Sequence, residues 1–242
     1  MDFNQKEVSA VAAILSVILF FGLYYFLTGR KVFNKLLKLL FPITFSTESK
    51  DFICDKITGI IFAGVIPLIV FVIIPGIPAN EAGLTTGEMH KITYLLIGLI
   101  AITILSAFFS SKSIKVQRSS PELRIKVWHL RHIILSSLSW LIYLFGYELF
   151  FRGILWFFCF RAFGFWWSVL INVTLYSLVH VPKGRLLTYG AVPLGVLFCT
   201  LSYFTGSFLP AFMIHSAMAI STELFSVYHN PEFRFSSGRL EK

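Results

Sequence analysis

The chain has 242 residues, 56% of them hydrophobic, 17% aromatic and only 14% charged, with a mean hydropathy of +0.77. Soluble domains carry about 25% charged residues, so an ordinary soluble enzyme is excluded and a polytopic membrane protein is indicated, read as one membrane domain over residues 1–242. The formal net charge of +9 sits in connecting segments beside apolar runs, where a positive-inside bias accounts for it, so the partner it implies is the lipid bilayer and not a nucleic acid.

The first apolar run, residues 8–28, is long enough for a bilayer. It ends in Gly29, Arg30 and Lys31 instead of a small-residue cleavage site, so it reads as a span and not as a signal peptide. Between Lys31 and Leu40, Lys31, Lys35 and Lys38 recur at helical spacing among leucines, which predicts a short amphipathic helix in the membrane interface. Residues 46–55 are polar and read as a loop. Further spans are expected at 57–77, 92–110, 133–160, 165–181, 187–204 and 208–228. Pro75 to Pro78 and Pro182 to Arg185 supply turn signals after the second and fifth. The fold class is therefore all-α, a bundle of about seven transmembrane helices plus the interfacial helix.

The segment after the third span is the most basic, with Lys112, Lys115, Arg118, Arg124, Lys126 and Arg131; the tail adds Arg234, Arg239 and Lys242. The loops after the second, fourth and sixth spans have no such excess. This asymmetry predicts an amino terminus outside and a carboxy terminus inside a bacterial cytoplasmic membrane. Cys54, Cys159 and Cys199 are odd in number and far apart, so free thiols are expected.

Ionisable residues stand out inside these spans, where each costs several kcal/mol unless partnered and marks a functional site by default. Glu148 and Arg152 lie four apart and share one face of a helix, so they can neutralise each other. His180 closes the fifth span in Tyr176-Ser-Leu-Val-His180, and His215 lies early in the seventh, with Glu223 two turns on. Counting rise per residue, Glu148 is about 22 Å from the cytoplasmic start of its span, and His215 about 10 Å from the outer side of a core about 30 Å thick. The two therefore meet in depth, whereas His180 falls nearer the cytoplasmic end. A carboxylate, a histidine relay and a hydrogen-bond donor are the parts that water activation and peptide hydrolysis need. No cofactor is called for. Two histidines and a glutamate can hold zinc, but the close spacing of a His-Glu-x-x-His helix is missing, and metal binding is the secondary reading.

At these residues the chain resembles the CPBP family, the CAAX prenyl endopeptidase and bacteriocin-processing membrane proteases. The family's Glu-Glu-x-x-x-Arg motif is matched by Tyr147, Glu148 and Arg152, its Phe-x-x-x-His by Tyr176 and His180, and its His-x-x-x-Asn by His215 and Ala219. The resemblance covers residues 141–226, within a motif-bearing core at 133–228. It implies an intramembrane endopeptidase with Glu148, Arg152, His180 and His215 in the site and Tyr147 and Tyr176 as auxiliaries, acting on a membrane-proximal or prenylated peptide. Two positions depart from the pattern. Tyr147 stands where the family has the Glu taken to activate water, and Ala219 where it has an Asn thought to hold the oxyanion. On a helix Tyr147 points about 100° away from Glu148, so Glu148 does not simply take its place, and a phenol with a pKa of about 10 is a poor base. Two classes stay open: a peptidase using Glu148 and the histidines, and a non-proteolytic immunity or scaffold relative that binds a peptide or partner.

Overall fold

A backbone in hydrocarbon must satisfy its own N–H and C=O groups, and the chain does so by coiling into helices. The computed structural model describes residues 3–29 and 47–236. The predicted interfacial helix from Lys31 to Leu40, and Arg239 and Lys242 of the tail, lie outside the described residues.

Helix α1 is Phe3–Gly29. Helix α2 begins as Thr47–Ile60 and continues through the π-helical Ile61–Val65, Ile66–Leu68 and a second π-helical stretch, Ile69–Ile73. Helix α3 is Thr93–Ser110. Helix α4 comprises Leu130–Glu148, the π-helical Leu149–Leu155 and the first part of Trp156–Leu178. That last helix is folded in two at Gly164, whose φ of 75° and ψ of −177° lie where a side chain is rarely tolerated; the part beyond the fold is α5. Helices α6 and α7 are Arg185–Thr205 and Leu209–His229. Among the described residues five helices are long and apolar enough to cross a membrane, and one of them, Leu130–Leu178, contains both α4 and α5. Helix α7, interrupted by His215, Ser216, Thr222, Glu223 and Ser226, is not among the five. The protein is an all-α integral membrane bundle.

One expected boundary needs correction. Residues 47–55 are helical, not a loop, and carry α2 past the apolar run. Their polarity reflects location: this end of α2 packs beside α4, with Ser49, Phe52 and Cys54 buried and Lys56 only 6% exposed. Farther along, the two helices touch through their backbones. A Cβ on Gly146 would lie 2.8 Å from the Gly64 Cα, and one on Gly64 2.9 Å from the Gly146 Cα. Small residues at such crossings let membrane helices approach closely, and this crossing fixes α4 two residues before Glu148.

The connecting segments are also ordered. Residues 111–129 include a single helical turn, Ile114–Gln117, and strand β1, Val127–Trp128, which pairs in parallel with β2, Arg234–Phe235. Glu223 does not join the other buried ionisable residues. Its Oε1 accepts the Glu122 backbone N–H at 2.7 Å, and its Oε2 lies 3.5 Å from the Ser136 hydroxyl, so it ties α7 to this segment and to α4. At the opposite end of the bundle, short turns at Ala79–Ala82 and Met89–Ile92 lie across the α6–α7 junction. There the Glu88 N–H donates to Thr205 O at 2.8 Å, the Phe208 N–H to Gly83 O at 3.3 Å, and the Ser207 hydroxyl to Thr85 O.

Candidate active site

The site is built on the π-helical part of α4. A π-turn displaces the hydrogen-bond ladder by one residue and occurs mostly as local bulges at functional positions. Here a side chain meets one of the displaced carbonyls: Asn172 of α5, fully buried, donates through Nδ2 to Phe151 O at 2.7 Å. The amide in an otherwise apolar span was the sequence signal for this clamp.

Glu148 and Arg152 are both 0% exposed, with Oε2 3.1 Å from Nη1. This separation pairs the charges but lacks hydrogen-bond alignment, and none of the three guanidinium nitrogens has an aligned acceptor. The guanidinium lies instead between aromatic faces, its carbon 4.0 Å from the centroid of the Tyr176 ring and 5.1 Å from that of Phe198. Ring quadrupoles stabilise a desolvated cation in that position. The other carboxylate oxygen, Oε1, is 2.5 Å from Nδ1 of His215 on α7. A carboxylate paired with Arg accepts, so the imidazole carries its proton on Nδ1 and leaves Nε2 with a lone pair.

His180 lies just past the end of α5. Its Nδ1 is 2.7 Å from the carbonyl of Tyr176. A carbonyl only accepts, so this ring also carries its proton on Nδ1, and its Nε2 too is an acceptor when the ring is neutral. Tyr147 sits between the two histidines. Its ring centroid is 6.4 Å from that of His180 and 5.8 Å from that of His215, both edge-on, and 6.0 Å from Tyr176. It is 3% exposed and its hydroxyl has no hydrogen-bond partner among the described residues. Phe21 of α1 packs against Tyr147 and Phe151, both at 5.5 Å, and closes that side.

Glu148, Arg152, His215, Tyr147 and Tyr176 thus form one contiguous group, which His180 joins through the two tyrosines. The 100° between Tyr147 and Glu148 does not separate them, because His215 contacts both. Ala219, one turn beyond His215, packs in the apolar core. Among the described residues no group of three or more His, Cys, Asp or Glu is arranged to hold a metal ion.

The family model described as Type II CAAX prenyl endopeptidase Rce1-like matches residues 129–221. The motif-bearing segment of this chain is Rce1-like. No curated protein and no solved structure matches the chain. The Rce1-like segment begins at the foot of α4 and ends in α7 after Ala219, so it contains Tyr147, Glu148, Arg152, Tyr176, His180 and His215 together. The match is to this segment; with the apolar helices around it, it supports a CAAX-protease-like intramembrane function in general terms.

Proposed function

We propose that the protein is an intramembrane endopeptidase that hydrolyses a peptide bond in a prenylated or membrane-proximal substrate. The observation that carries the reading is the 2.5 Å contact between Glu148 and His215. Glu148 accepts from His215 through Oε1, while Oε2 faces the Arg152 charge at 3.1 Å without an aligned hydrogen bond. The lone pair that faces no cation belongs to His215 Nε2. The base is therefore His215, and Glu148 holds its tautomer and stabilises the imidazolium, the division of labour of a carboxylate–histidine pair in a hydrolytic triad. This moves the base from Glu148, the expected carboxylate, to the imidazole beside it. His215 Nε2 takes a proton from water as the oxygen attacks the peptide carbonyl, and returns it to the leaving amine as the C–N bond breaks. The Tyr147 hydroxyl, a buried donor with no partner among the described residues, is the group that stabilises the oxyanion in place of the family's Asn. His180 Nε2, as an acceptor, orients the substrate through a peptide N–H.

A second reading has its own support. The Tyr147 ring packs edge-on against both imidazoles, and in a non-proteolytic relative that ring would fill the position of the attacking water while the fold still bound a peptide. The two readings separate on cleavage of a panel of lipidated peptides by the protein in liposomes. The peptidase reading expects products from the wild type and none from His215→Ala; equal cleavage by both would refute the mechanism.

The orientation belongs to the same proposal: one membrane domain, with residues 111–132 and the tail after Tyr228 facing the cytoplasm and 79–91 facing out. On a background lacking Cys54, Cys159 and Cys199, a cysteine at Lys115 is expected to resist an impermeant thiol reagent in intact cells and one at Glu81 to react. Labelling at Lys115 would invert the topology.

A further inference from the structure

The turn that follows α3 carries positive charge that pairs with no described residue. No acidic residue occurs between Glu88 and Glu122 in the sequence. Lys112, Lys115 and Arg118 fall in that stretch; all three are exposed, and none forms an ion pair among the described residues. Acidic residues from other segments are matched elsewhere. Asp51, Asp55 and Glu122 line one cavity together with Lys56, Arg124 and Lys183, three carboxylates against three cations. Glu122 is paired there with Lys56 at 2.7 Å. Glu223 is buried and accepts the Glu122 N–H, and Glu232, past α7, has Arg234 two residues on.

The turn is fastened at both ends. Gln117 Nε2 donates to Ser111 O at 3.0 Å, and the Arg124 guanidinium donates to the carbonyls of Gln117, at 3.2 and 3.3 Å, and of Arg118, at 2.5 Å. The Ser111 hydroxyl lies 2.8 Å from Nδ1 of His229, whose ring is 4.9 Å from that of Phe108, so the turn is tied to the end of α7. These contacts leave the charges of Lys112, Lys115 and Arg118 untouched. Apolar side chains adjoin the cations. The Lys112 ammonium lies 5.0 and 5.1 Å from the ring centroids of Phe108 and Phe109, and Phe109, Ile114 and Tyr228 are exposed. A cation drawn back over rings at a helix end, beside exposed apolar groups, suits the boundary between hydrocarbon and headgroups.

We propose that this turn, with the adjoining ends of α3 and α7, binds an anionic phospholipid, its phosphate against Lys112, Lys115 and Arg118 and its acyl chains against Phe109 and Ile114. Three like charges on one fixed turn favour a phosphate, which accepts from several donors at once. A zwitterionic lipid would bring its own ammonium against the same cations, and a soluble phosphate would leave Phe109 and Ile114 uncovered. The proposal needs neither turnover nor a particular orientation, so it stands apart from the peptidase reading.

The test counts bound lipid. The full chain in a neutral detergent is titrated with equal amounts of phosphatidylglycerol and phosphatidylcholine, and the adducts are quantified by native mass spectrometry. Phosphatidylglycerol is expected to bind about tenfold more tightly or better. Lys112→Gln, Lys115→Gln and Arg118→Gln change exposed side chains and leave the fold intact; each should weaken phosphatidylglycerol about fivefold. The triple variant should bind the two lipids alike, while Lys91→Gln, in the turn before α3, should change nothing. Inorganic phosphate and a soluble acidic peptide, each added at the lipid concentration, are expected to displace no phosphatidylglycerol. Equal binding of the two lipids by the wild type, or a preference that survives the triple variant, would overturn the proposal. So would displacement by inorganic phosphate, which would make this a site for a free anion, or by the peptide, which would make it a surface for an acidic protein.

Discussion

Glu148→Gln is expected to be the most damaging single change to stability, lowering it by about 3–5 kcal/mol, the loss seen when one member of a buried ion pair is removed. It weakens two partnerships at once: Arg152 keeps its charge between the rings of Tyr176 and Phe198 with no counter-ion, and His215 Nδ1 is left with a neutral amide oxygen in place of a carboxylate. Arg152→Gln is expected to cost less, because the Glu148 carboxylate still has His215 beside it, and a proton taken up by that imidazole restores an ion pair. The double variant, Glu148→Gln with Arg152→Gln, should be milder than the sum of the singles. Thermal unfolding of the four proteins in one detergent is the measurement. Additive losses would remove the coupling from the account.

Tyr147 carries the second large effect, this time on rate. As the oxyanion donor its removal in Tyr147→Phe is expected to lower kcat about 10²- to 10³-fold with little change in KM, the range for loss of one such hydrogen bond. The phenylalanine keeps the ring contacts with Phe21, Phe151 and both histidines, so stability should hardly move. Unchanged kcat would exclude the hydroxyl from the chemistry. The reverse substitution is as informative. If the wild type is silent and Tyr147→Glu cleaves, the ring is a block in a family site that has lost its base, and the binding reading is correct.

Much of this arrangement was legible in the residues, for physical reasons that differ by element. The spans were visible because hydrocarbon requires unbroken apolar stretches, and the α4–α5 boundary because Gly164 interrupts one. Glu148 with Arg152 was visible because four residues make a helical turn, and depth alone brought His215 level with Glu148. Other features depend on packing between distant segments and leave no local pattern. The π-helical stretch at Leu149–Leu155 reads as an ordinary apolar helix; it depends on Asn172, 21 residues away from Phe151. The helical start of α2 looked like a loop because its residues are polar; the contacts that hold its end, of Lys56 with Trp140 and Glu122, come from segments that no local window contains. Tyr147 was read as an auxiliary and a poor base, set apart from Glu148 by angle, since one helix cannot reveal that an imidazole from another touches both side chains.

A membrane protein with glutamate, arginine, histidine and tyrosine side chains in its interior risks becoming a proton wire, and a wire from face to face would discharge the potential that the bilayer maintains. The turns across the α6–α7 junction bear on this. Glu88, Gly83 and Thr85 use their backbone groups on Thr205, Phe208 and Ser207, so hydrogen-bonding groups at that end are occupied by one another and do not continue the chain of titratable side chains. Phe145 packs edge-on against Phe208 and Phe212 at 5.1 and 5.5 Å, so apolar rings and not titratable groups join α4 to the start of α7. In the proposed orientation such closure at the outer end would leave the cytoplasmic side as the route for water and protons. A cell can then keep the protein in an energised membrane without short-circuiting it.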